Sequence, residues 1–198
     1  MRAFVAVVPP PEVVEDLDEF LDVRRAAVST ASGSASAAGF RWAAVEQLHV
    51  TLAFAASVPD RSYDDWVERL ARAARRRTPF GAVVAGGGAY PNVGRAKVLW
   101  AGLDLDDAAR TEMDRLATGA RAATAKAGIE VEGRKFHPHV TLARVNRPEE
   151  MTNWVRLLDA YRGPAWTVDR IALIESHLGE GPRNRPRYEM LEELPLGK

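Results

Sequence analysis

The tetrapeptide His-Val-Thr-Leu occurs twice, at residues 49–52 and again at 139–142. Side chains alternate across an extended strand, so His49 and Thr51 share one face while Val50 and Leu52 share the other. The apolar face belongs in a core, and the polar face then presents an imidazole beside a hydroxyl. The second copy repeats the pattern with His139 and Thr141. Two such strands facing each other would put two imidazoles and two hydroxyls around one cleft. That set suits a phosphodiester. A neutral imidazole takes a proton from water while an imidazolium gives one to a leaving oxygen. Threonine hydroxyls donate hydrogen bonds to the non-bridging oxygens between them.

The residues around the two copies extend the pattern. Phe136-His137-Pro138-His139 leads into the second copy and Arg144 follows it. Phe40-Arg41-Trp42 and Glu46-Gln47-Leu48 precede the first, and Val98-Leu99-Trp100-Ala101-Gly102 lies between them. In these strings the chain resembles the two-histidine phosphoesterases, and within them the RNA 2′,3′-cyclic phosphodiesterases, also called the 2′-5′ RNA ligase family. The resemblance covers nearly the whole chain apart from residues 26–39. It implies an α+β fold: two pseudo-symmetric lobes of antiparallel sheet with outer helices and an active-site cleft between them. It also implies roles: His49 as general acid, His139 as general base, Thr51 and Thr141 as phosphate ligands, and Arg144 as an assisting cation. No metal and no cofactor is expected. Arg144 raises a conflict, because strict alternation puts residues 139, 141 and 143 on one face and turns 144 away. A bulge or the end of the strand would redirect it.

Composition narrows the alternatives. The 198 residues carry 27 basic and 27 acidic side chains, and a protein that coats long nucleic acid usually has a basic excess. RNA ends or small cyclic nucleotides are the partners expected instead. No cysteine is present, which removes disulfides, thiolate metal sites and thiol nucleophiles. No apolar run reaches spanning length, and the start lacks a signal-peptide pattern. A cytoplasmic monomer without membrane contact is the expectation.

Along the chain, one two-lobed domain over 1–198 is expected, with strands at 2–8, 79–85, 97–103, 166–175 and 187–194. Helices are expected from Pro11 through Leu21, over 62–77, from Asp106 to Ala127, and from Pro148 to Tyr161. Residues 26–39, rich in Ala, Ser and Gly, read as a flexible loop. Phe54 shares the parity of Val50 and Leu52 and reads as core. Trp42 reads as strand packing, His137 as a structural or rim residue, His177 as a loop histidine, and Arg134 and Lys135 as solvated loop charges.

The function these readings favour is metal-independent hydrolysis of an RNA-terminal or nucleoside 2′,3′-cyclic phosphate to the 2′-phosphate, with 2′-5′ ligation as its reverse. Two imidazoles near their ordinary pKa predict a bell-shaped rate profile around neutral pH. A related phosphoesterase acting on another small cyclic phosphate or a 2′-5′ oligonucleotide is one alternative. A non-catalytic nucleotide- or RNA-binding module is the other.

Overall fold

The computed structural model describes residues 1–31 and 39–197. Among these, nine strands form one antiparallel sheet, and four helices cover one of its faces. The strands are β1 (Ala3–Val7), β2 (Phe40–Trp42), β3 (Val50–Ala55), β4 (Phe80–Tyr90), β5 (Ala96–Asp104), β6 (His139–Glu149), β7 (Arg162–Val168), β8 (Arg170–His177) and β9 (Arg187–Pro195). The helices are α1 (Pro11–Ala31), α2 (Tyr63–Arg75), α3 (Asp107–Lys126) and α4 (Thr152–Asp159).

The order across the sheet is β7-β4-β5-β6-β3-β1-β8-β9, with β2 paired to β6. Its centre is the β3–β6 junction, where Val50 pairs with Val140. Outward from that pair the order is symmetric: β3-β1-β8-β9 on one side, β6-β5-β4-β7 on the other. Helices α2 and α3 back the first lobe, α1 and α4 the second. Each lobe draws on both halves of the chain: the first takes β8 and β9 from the C-terminal half, and the second takes β4 from the N-terminal half. Val168 ends β7 in one flank and Arg170 begins β8 in the opposite flank. Two residues span at most about 7 Å, so the sheet must curl until its flanks approach.

Burial separates the faces. Ala3, Val5 and Val7 of β1 enter the main core with Leu17, Trp66, Leu70, Met113, Leu116 and Leu158 from the helices. Phe4 and Ala6 point the other way and join Ala172 and Ile174 in a small second cluster on the open face. Asp106 caps α3, its carboxylate accepting from the Ala109 amide at 2.7 Å. The Trp66 indole, wholly buried, donates to Thr124 at 2.9 Å and ties α2 to α3.

Both motif strands carry the same irregularity. In β3, Ala53 pairs with Val5 but Thr51 pairs with Ala6, so Leu52 is an extra residue. In β6, Ala143 pairs with Leu99 but Thr141 pairs with Trp100, so Leu142 is extra. Leu52, Ala53, Leu142 and Ala143 are all buried in the main core. Two successive core residues reverse the alternation, so the residue after them returns to the open face. Phe54 therefore packs on the open-face cluster, not in the main core as its parity suggests.

Other boundaries also move. Helix α1 continues to Ala31, so residues 26–31 of the expected flexible loop are helical, as suits alanine. Residues 32–38 lie outside the described residues, as does Lys198. Pro148 does not open a helix: β6 runs on until Glu149 pairs with Ala96, and α4 begins at Thr152. The segment 166–175 is two strands divided at Asp169. Strand β4 does not stop at the glycines but continues to Tyr90. Gly86 takes a positive φ at a register shift, and Gly88 seats the Trp100 indole on a surface where any Cβ would collide with its ring carbons.

Candidate active site

Pairing of Val50 with Val140 decides the geometry. Both valines are buried, so the residues flanking them emerge together on the opposite face. In an antiparallel pair this brings His49 to the side of Thr141 and Thr51 to the side of His139. The four residues named by the two repeats thus share one small area. His49, His139 and Thr141 are half-buried and Thr51 is exposed.

Each imidazole is held in the same way. His49 Nδ1 lies 2.7 Å from the Gln47 carbonyl oxygen, and His139 Nδ1 lies 2.7 Å from that of His137. A carbonyl only accepts, so each Nδ1 carries the proton and each Nε2 is directed to the groove. His49 Nε2 lies 3.1 Å from Thr51 Oγ1. The residues supplying the carbonyls are themselves anchored. The Gln47 amide donates to the Pro186 carbonyl at 2.9 Å, and Arg185 donates to the Trp42 carbonyl at 2.8 Å, fastening the β8–β9 loop near His49. The Tyr90 hydroxyl bonds His137 Nδ1 at 3.1 Å.

Aromatic rings form the walls. His49 stacks on Phe4 with centroids 4.6 Å apart and meets Tyr188 edge-on at 5.7 Å. His139 lies 5.3 Å from Tyr90 and 5.8 Å from Trp100, and Trp100 also meets His137 at 5.1 Å. Gln47, Tyr90, Trp100 and Tyr188 were not legible as site residues. The only signal was position: Gln47 and His137 each stand two residues before a motif histidine. An aromatic in a strand otherwise reads as core.

Arg144 reaches the groove through the Leu142 bulge. Its guanidinium acts electrostatically on His49, His139 and Tyr188 together. Burial pushes the pKa of both imidazoles down, and Arg144 pushes in the same direction. The accepting carbonyls of Gln47 and His137 offset part of this. Each histidine also feels a second imidazole, His139 acting on His49 and His137 on His139. The free protein therefore favours neutral rings, one lone pair at each Nε2.

The remaining candidates lie elsewhere. Arg134 pairs with Glu132 at 2.8 Å on an exposed loop, and Lys135 is exposed beside it. His177 ends β8 among Glu175, Glu180 and Glu189. Trp42 packs against Phe40 and Trp154, and Arg41 sits across from Arg144 in the β2–β6 pair. Among the described residues no three His, Asp or Glu side chains converge as metal ligands, and no helix is long and apolar enough to cross a membrane.

Two imidazoles with opposed hydroxyls and one guanidinium can bind a phosphodiester anion and exchange protons on either side of it. Known proteins are similar to this chain in sequence and in fold. An RNA 2′,3′-cyclic phosphodiesterase of Thermus thermophilus is 30% identical over 198 residues, covering 99% of this chain and 90% of the relative. One of the same name from Aquifex aeolicus is 30% identical over 161 residues, covering 79% and 82%. A crystal structure of a Thermus thermophilus protein superposes with a TM-score of 0.72 at 30% identity over 100% of both chains. E. coli LigT complexed with 3′-AMP superposes at 0.69 with 25% identity, over 100% of this chain and 98% of that one. Residues 9–180 match the 2′-5′ RNA ligase superfamily as a whole, and the chain belongs to that superfamily.

Proposed function

We propose that the protein hydrolyses the 2′,3′-cyclic phosphate of an RNA end or nucleoside to the 2′-phosphate, without a metal. The observation that carries this reading is the matched pair of imidazoles, each with Nδ1 bound to a carbonyl and Nε2 directed at the same groove. Relatives named RNA 2′,3′-cyclic phosphodiesterase add the substrate class.

In this reaction the phosphate sits between Thr51 and Thr141, and Arg144 offsets its charge. His139 Nε2 takes a proton from water, and the oxygen attacks phosphorus. The bond from phosphorus to O3′ breaks, and His49 Nε2–H gives its proton to O3′. The product carries a 2′-phosphate and a free 3′-hydroxyl. His139 leaves the step protonated and His49 neutral, and exchange with solvent restores both. The free protein favours two neutral rings, so the bound phosphate anion supplies the field that keeps a proton on His49. Run in reverse with an RNA 5′-hydroxyl in place of water, the same groups form a 2′-5′ linkage.

The test is turnover of 2′,3′-cyclic nucleotides with product regiochemistry read by phosphorus NMR, with and without EDTA. A 2′-phosphate formed at equal rate in both supports the reading. A 3′-phosphate would reverse the assigned leaving oxygen, and loss of rate with EDTA would refute the metal-free step.

A further inference from the structure

The two halves of the groove differ at one equivalent position. Arg144 follows the His139 repeat, and Phe54 follows the His49 repeat, each turned to the open face by the extra leucine before it. Because β3 and β6 are antiparallel, Arg144 stands at the His49 end of the groove and Phe54 at the His139 end. A cation is nevertheless present at the Phe54 end. The Arg2 guanidinium lies over the Phe54 ring with Cζ 4.4 Å from its centroid. Arg2 stands just before β1, two residues and so about 7 Å from Phe4, the residue on which His49 stacks.

Arg2 differs from the chain's other tightly stacked arginine, Arg24, in one respect, the hydrogen bonding of its Nη groups. It is half-buried, its Nε is buried without a hydrogen-bond partner, and no ion pair among the described residues includes it. Arg24, stacked on Phe20 at 3.6 Å, is also half-buried with an unpartnered buried Nε and no ion pair, but its Nη1 donates to the Phe20 carbonyl at 2.9 Å, whereas among the described residues neither Nη of Arg2 has a hydrogen-bond partner. Stacking fixes the plane of the Arg2 guanidinium and leaves its two Nη groups without a partner among the described residues. A planar fork held in place beside an anion-binding centre suits a second phosphate. Its charge is felt at Tyr188, which feels Arg144 as well.

We infer that Arg2, held on Phe54, binds the internucleotide phosphate immediately upstream of the cyclic end, and so selects RNA ends over cyclic mononucleotides. The inference rests on the phosphodiesterase reading above. A cyclic mononucleoside has one phosphate, which the histidines and threonines occupy. A cyclic-ended dinucleotide has a second, one nucleotide away, at the 5′ oxygen of the terminal ribose.

The experiment compares kcat/KM on a 2′,3′-cyclic mononucleotide and on a dinucleotide ending in the same cyclic nucleotide, for the wild-type chain and Arg2→Gln. A charge-assisted contact predicts that the dinucleotide-to-mononucleotide ratio falls about tenfold in the variant. A second arm needs no variant: replacing the upstream linkage by a neutral methylphosphonate should lower the wild-type ratio by a similar factor and leave that of Arg2→Gln unmoved. A ratio in Arg2→Gln equal to that of the wild type, including equal losses on both substrates, or a wild-type ratio that the methylphosphonate leaves unmoved, overturns the assignment. Failure of the wild-type chain to turn over either substrate is a different outcome, and overturns the proposed function itself.

Discussion

Phe54 and Arg144 occupy equivalent places in the two halves of the groove, one aromatic and one cationic. Each follows its histidine at the same interval in the repeat His-Val-Thr-Leu-Ala. Each reaches the open face because Leu52 and Ala53, or Leu142 and Ala143, are successive core residues. The bulge is therefore part of the site, since without it Arg144 would point into the helix-covered face.

If the two imidazoles are the acid and base, His49→Ala and His139→Ala each lower kcat on a 2′,3′-cyclic nucleotide by about a hundredfold or more. Steady-state turnover, with circular dichroism to verify folding, checks this. Near-wild-type turnover in either variant removes that residue from the mechanism.

Arg144→Ala should change both the rate and its pH dependence. Loss of the phosphate contact lowers kcat/KM by about ten- to a hundredfold. Loss of the positive charge also raises both imidazole pKa values, because Arg144 depresses them. Proton NMR titration of the histidine ring protons should show both resonances moving to higher pKa. Unmoved titrations would mean that the guanidinium does not act on the rings.

With both imidazoles below the ordinary 6.5, the kcat/KM profile, which reports the free protein, should peak below that value. The same depression affects stability. Between the folded pKa and 6.5 the unfolded chain binds more protons than the native one, so stability rises with pH through that window and is lost as pH falls. Thermal stability should therefore fall below about pH 6.5, and His49→Gln should flatten that dependence. A kcat/KM optimum above 6.5 would contradict the direction of the shifts.

Gly88→Val should act at a distance. Its side chain would collide with the Trp100 indole, which also packs beside His137 and His139. Overpacking of this kind costs about 1–3 kcal/mol. A lower unfolding midpoint, a changed tryptophan emission and reduced turnover are expected together. Unchanged emission would show that the indole does not depend on that seat.

Thr124→Val isolates a structural contact remote from the groove. It leaves the buried Trp66 indole N–H without its acceptor and should cost about 1–3 kcal/mol in denaturant unfolding. The pH optimum should not move.

The sequence by itself determined the chemistry and its symmetry. Two identical short strings, each with a histidine and a threonine two residues apart, named four of the groove residues, because strand alternation is a local property of the backbone. Helices α2 and α3 and most strands were legible for the same reason, being local periodicities with clear ends. Tertiary structure alone decided where the alternation breaks. The paired registers of β1 with β3 and of β5 with β6 each leave one leucine over, and that surplus moves Phe54 out of the core and Arg144 onto the groove. No local pattern records a register, since it depends on the partner strand. The same holds for Tyr90, Trp100 and Tyr188, and for Arg2 lying on Phe54. They come to the groove from strands far from the motifs in sequence, through pairings such as Trp100 opposite Thr141 that only the sheet sets.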